Sequence, residues 1–78
     1  MISLQPVTLD VDTGDQEARL VFRKGRLVAI VAQLGDIHED AKGRWYLEMV
    51  FGDVPTPHPD TFDSLLDLER WLSPASIH

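Results

Sequence analysis

The sequence predicts an α+β fold: a four-stranded antiparallel β-meander followed by one C-terminal α-helix packed on one sheet face. Three observations predict it. Short runs rich in Val, Leu, Ile and aromatic residues follow one another, separated by polar turns that contain glycine. One pair of runs, ARLVFRKGRLVAIVAQL over 18–34, reads as a single hairpin with apolar residues on both of its faces. After a proline-rich stretch the apolar spacing changes from twofold alternation to a helical period.

The first strand is expected near 6–12, where Val7, Leu9 and Val11 alternate with Thr8, Asp10 and Asp12. That is an edge-strand pattern, and Pro6 at its start is tolerated there. Thr13-Gly14-Asp15 makes a turn. The central hairpin follows, with strands near 17–23 and 26–34. Gly25 can take φ > 0 without steric cost, so Lys24-Gly25 is the expected turn. A two- or four-residue loop pairs Arg23 with Arg26, Phe22 with Leu27, Val21 with Val28 and Leu20 with Ala29. Opposed residues share a face. One face then carries Leu20, Phe22, Leu27, Ala29 and Val31, and the other Arg19, Val21, Arg23, Arg26, Val28, Ile30 and Ala32. A slip of one residue would exchange these faces.

Residues 35–43 read as a polar loop bounded by glycines. The fourth strand lies near 44–51, with Trp45, Leu47, Met49 and Phe51 on one side and Arg44, Tyr46, Glu48 and Val50 on the other. The connection at 53–59 carries Pro55, Pro57 and Pro59, which favour extended geometry in the residues before them. A polyproline segment of this length would carry the chain back across the sheet. The helix is expected near 60–72, capped by Asp60 or Thr61. Phe62, Leu65, Leu66, Leu68 and Leu72 fall within an arc of roughly 160°. This arc should cover Leu20, Phe22, Val31, Leu47 and Phe51, together with Trp45 and Met49. Ser73-Pro74 ends the helix, and 74–78 form a tail.

Seventy-eight residues allow one domain with a small core. Such domains often gain stability from disulfides, metals or self-association. There is no cysteine, which excludes disulfides and thiolate metal sites and suits a cytoplasmic location. Thirteen acidic against seven basic residues give a net charge of −6, which disfavours general binding to nucleic acid or anionic lipid. Residues 1–9 lack the basic and apolar segments of a signal peptide. No run approaches the ~20 apolar residues of a membrane helix, so no membrane association is expected.

One helix covers one sheet face. The other face should keep Val21, Val28, Ile30, Tyr46 and Val50 among arginines, and an uncovered apolar patch on a small protein usually marks an interface. The plain alternative is a half-apolar face solvated behind long Arg side chains. The expected function is therefore a non-enzymatic protein-interaction domain, paired with a second copy or with another protein. An acidic inhibitor or immunity-type protein that presents carboxylates to a basic partner is the first alternative. A basic patch at Arg19, Arg23, Lys24 and Arg26, beside Tyr46, supplies the second: nucleic-acid binding through the hairpin. Cross-strand pairing with Asp10, Asp12 and Glu48 explains the same residues without a ligand.

Other clusters carry less. Asp10-Val11-Asp12-Thr13-Gly14-Asp15 departs from a calcium loop: Gly14 holds a ligand position, Asp15 the glycine position, and Val21 the bidentate position. Asp36, His38, Glu39 and Asp40 place four potential ligands in one loop without a metal-site spacing, as a solvated acidic loop would. Glu69 falls in the apolar arc of the helix, near enough to its end to reach water. No nucleophile motif, phosphate loop or paired acid and base is present, and no cofactor is expected. Trp45 and Trp71 read as core and core edge, with Trp71 extending the helix cover or meeting a partner.

Overall fold

A computed structural model describes residues 1–12, 16–35, 40 and 42–73. Five strands form one antiparallel sheet in sequence order: β1 (Ile2–Thr8), β2 (Glu17–Arg23), β3 (Arg26–Gln33), β4 (Trp45–Val50) and β5 (Thr61–Phe62). The helix α1 (Leu65–Leu72) follows and packs on one face. The α+β meander with a C-terminal helix is thus the observed architecture, with a short fifth strand added at its edge.

The hairpin turn forms as its chemistry requires. Lys24 and Gly25 both have positive φ, 55° and 78°, the mark of a two-residue type I′ turn. Arg23 then opposes Arg26 and Phe22 opposes Leu27, as expected. Beyond them the register shifts by one residue, so Val21 opposes Ala29 and Leu20 opposes Ile30. Val28 is the extra residue, a bulge in β3. A second shift separates Ile30 opposite Met49 from Val31 opposite Leu47, which makes Glu48 the extra residue of β4. Each bulge exchanges the faces of everything beyond it.

Those two bulges decide the core. It consists of Val21, Val28, Ala29, Val31, Trp45, Leu47, Phe62, Leu68 and Leu72, with Ile2, Leu4, Val50, Val54, Leu65 and Trp71 packed against it. Val28 and Ala29 are adjacent yet both buried, because the bulge places both on the helix side. The expected partition of the sheet is corrected accordingly. Val31, Trp45 and Leu47 lie beneath the helix, but Leu20, Phe22, Met49 and Phe51 do not belong to this core.

β1 occupies Ile2–Thr8 rather than 6–12. Ile2 and Leu4 are the side chains it delivers to the core, while Val11 lies beyond the strand and is exposed. Pro6 sits inside β1 opposite Arg19. The edge position tolerates it, since a missing donor on the outer side breaks no ladder. Leu9 N–H donates to the Gln16 carbonyl at 2.8 Å and continues the pairing toward the turn, and the expected turn at 13–15 lies outside the described residues. Residues 52–60 hold no regular element, and the Thr56–Pro57 peptide is cis rather than part of a continuous polyproline segment.

The helix is shorter than its apolar pattern suggests. Thr61 and Phe62 pair with Tyr46 and Trp45 as β5, which draws the expected first turn into extended backbone. The cap is therefore Ser64, not Asp60: its Oγ accepts from the Asp67 N–H at 3.2 Å. With Phe62 removed from the helix, the buried stripe turns toward Trp71. Leu68 and Leu72 are buried, Leu65 and Trp71 pack beside them, and Leu66 is exposed. Trp71 rests against Phe62 at 5.4 Å between ring centroids. Arg44 fastens β5 to the start of β4 by donating from Nε to Thr61 Oγ1 at 3.0 Å and pairing with Asp63. Ser64→Ala should cost about 1 kcal/mol through loss of the cap. Chemical denaturation would show it as a lower midpoint at unchanged m.

Candidate functional site

The face of the sheet turned away from α1 is the candidate site. The observed register places Ala18, Leu20 and Phe22 of β2 there, with Leu27, Ile30 and Ala32 of β3 and Tyr46 and Met49 of β4. The rows run across three strands, Ala18–Ala32–Tyr46 and Leu20–Ile30–Met49. β1 adds Ser3, Gln5 and Val7 at one side, and Phe51 follows β4 at the end. None of the large side chains in these rows belongs to the core cluster. Met49 is 53% exposed, Phe51 40%, Tyr46 39% and Leu27 37%. The two alanines, Ala18 and Ala32, are fully buried.

The paired strand residues that form this face carry no charge, and the exposed bulge residue Glu48 stands beside Met49 opposite Ile30. Three strands spaced ~4.8 Å apart over about 20 Å of strand give roughly 300 Å² in projection, the scale of apolar patches that mark interaction sites. The two bulges are what put it there. They carry Val21, Val28 and Val50 under the helix and leave Leu20, Phe22, Met49 and Phe51 outside.

The expected interface set is therefore divided. Ile30 and Tyr46 lie on the uncovered face. Val21 is fully buried and Val28 nearly so, both in the core, and Val50 packs against that core. Leu20, Phe22, Leu27, Met49 and Phe51 are the members that alternation alone assigned to the covered side.

The arginines also lie elsewhere than expected. Arg19 and Arg23 oppose residues of the helix-covered side. The Arg19 guanidinium lies 5.0 Å from the centre of the Trp45 ring and pairs with Glu17 at 2.8 Å. Cation–π contact and a carboxylate thus hold it in place. Arg23 donates from Nη2 to the Asp53 carbonyl at 2.7 Å. Lys24 and Arg26 stand exposed at the hairpin tip. The four bases do not form one patch beside Tyr46: Arg19 is committed to Trp45, and the other three gather at the tip.

Asp36, His38 and Glu39 lie outside the described residues, and Asp40 is exposed. Among the described residues no group of three His, Asp or Glu side chains is placed to hold a metal ion. Glu69 is half-buried at the helix surface beside Leu66, Arg70 and Ser73. His58 meets the edge of Trp71 at 6.3 Å between centroids, a packing role near the end of the connection. No helix among the described residues is long and apolar enough to cross a membrane.

Comparison of the chain with family models, with curated proteins and with solved structures gave no match in any of the three.

Proposed function

We propose that this chain is a small, non-enzymatic interaction domain of the cytoplasm that pairs with a second copy of itself through the uncovered sheet face. One observation carries the reading: paired rows of uncharged, mostly apolar side chains span three strands on the face turned away from α1. A two-fold interface must complement itself, because each residue meets its symmetry mate or a neighbour of it. Rows of uncharged side chains meet that condition with few like charges opposed, even in a chain of net charge −6. A charge-complementary partner would find little beyond Glu48 to pair with, which favours a second copy over a basic heterologous partner. Absence of cysteine fits a reducing compartment.

Nucleic-acid binding through one basic patch beside Tyr46 loses support, because Arg19 is held against Trp45 while Arg23, Lys24 and Arg26 lie at the hairpin tip. The acidic-inhibitor reading rests on charge alone. The test is solution mass by light scattering on a sizing column over a range of concentrations. A concentration-dependent or stable dimer is the expected result. A monomer at every concentration would refute self-association and turn the search to a different apolar partner.

A further inference from the structure

The hairpin tip holds a second feature, a cleft that shares Leu27 and Phe51 with one end of the uncovered sheet face. Arg23, Lys24, Arg26, Leu27, Phe51 and Asp53 border a cleft of about 410 Å³. That volume lies in the range of small-ligand sites. Arg23 and Arg26 oppose each other directly across the turn, with Lys24 between them. Like charges facing one another across a ladder are unfavourable. Among the described residues none of the three has a carboxylate within ion-pair distance. Three positive charges against the single carboxylate of Asp53 leave an excess of two, in a protein that is otherwise acidic. The Arg23 guanidinium is already oriented by its 2.7 Å bond to the Asp53 carbonyl, and it spans Gly52, where its Nη2 would lie 3.8 Å from an added Cβ. Its remaining donors are free for a planar or tetrahedral anion. Leu27 and Phe51 add partly exposed apolar surface to the same wall.

We propose that this cleft binds a small phosphate monoester whose organic body is aromatic or apolar. The dianion matches the excess charge, and arginine forks suit phosphate oxygens. Phe51 and Leu27 receive the body.

The probes are inorganic phosphate, phenyl phosphate and benzenesulfonate, titrated into the intact protein and followed by amide chemical shifts. Phenyl phosphate should saturate at roughly 1 mM or tighter, with shifts centred on 23–27 and 51–53. Inorganic phosphate should bind about tenfold more weakly, since it lacks the apolar body. Binding should weaken below about pH 6 as the dianion takes up a proton. Arg26→Gln should weaken phenyl phosphate about fivefold, and Lys24→Asn about threefold. Both positions are exposed, and Asn tolerates the positive φ of Lys24, so both variants should fold. Arg70→Gln removes the same charge from the helix and should change nothing. Equal weakening by Arg70→Gln would reduce the effect to overall charge and overturn the proposal. So would benzenesulfonate binding as tightly as phenyl phosphate, or no saturation with any probe.

Discussion

Ile30→Asp should yield a folded monomer if the sheet face pairs as proposed, whereas Val28→Asp should yield an unfolded chain. The two residues lie two positions apart in one strand, and simple alternation puts them on the same face. The bulge at Val28 separates them. Ile30 lies between Leu20 and Met49 on the uncovered face, half-buried among its neighbours. A carboxylate there stays hydrated in the free chain, but in a pair it would be desolvated against apolar neighbours, a cost of several kcal/mol. Val28 is 3% exposed within the core, so a carboxylate there must be buried or the sheet must open. A domain of this size has a total stability of roughly 4–12 kcal/mol, and one buried unpaired charge consumes most of it. Circular dichroism and light scattering on the two variants check both statements. An Ile30→Asp protein that remains a dimer with unchanged melting would remove the sheet face from the interface.

Leu68→Ala should destabilise the chain by about 2–5 kcal/mol. Leu68 is fully buried at the centre of the helix stripe, against the core formed by Val21, Val31 and Leu47. So short a helix, eight residues, cannot persist by propensity alone and depends on this packing. For a domain of 60–100 residues each 1 kcal/mol lowers the melting temperature by about 4–8 °C, so a fall of more than 8 °C is expected. Leu66→Ala supplies the contrast. Leu66 is 55% exposed, and its truncation should shift stability by no more than about 0.5 kcal/mol. Equal losses from the two variants would show that the helix is seated on a different stripe.

The element order was legible because each element carries its own local signal. Lys24-Gly25 marks the hairpin turn through the freedom of glycine at positive φ. Val7, the 18–34 hairpin and Trp45–Val50 carry strand composition, and the leucines after the prolines carry a helical period. Both ends of β1 were misplaced by four residues: Pro6 looks like a boundary and is instead an interior residue of an edge strand, and the alternation of Val7, Leu9 and Val11 runs on past the end of the strand at Thr8. The first helical turn was misplaced for a related reason. Asp60-Thr61 has good cap chemistry, yet the hydrogen bonds available from Tyr46 and Trp45 draw Thr61 and Phe62 into the sheet.

By itself, then, the sequence determined the fold class, the succession of four strands and a helix along the chain, the tight turn, and the existence of apolar surface beyond what one short helix can cover. Each follows from residue type and spacing over a few positions. Tertiary structure decided which apolar residues are core and which are left outside. Val28 and Glu48 have no local signature of a bulge. They become extra residues only because neighbouring strands pair with Val21 against Ala29 and Leu47 against Val31, and that choice depends on how the whole inner face packs beneath Leu68 and Leu72. A period-two pattern transmits a one-residue shift to every later position, so two small irregularities carry Val21, Val28 and Val50 inward and bring Leu20, Phe22, Met49 and Phe51 out.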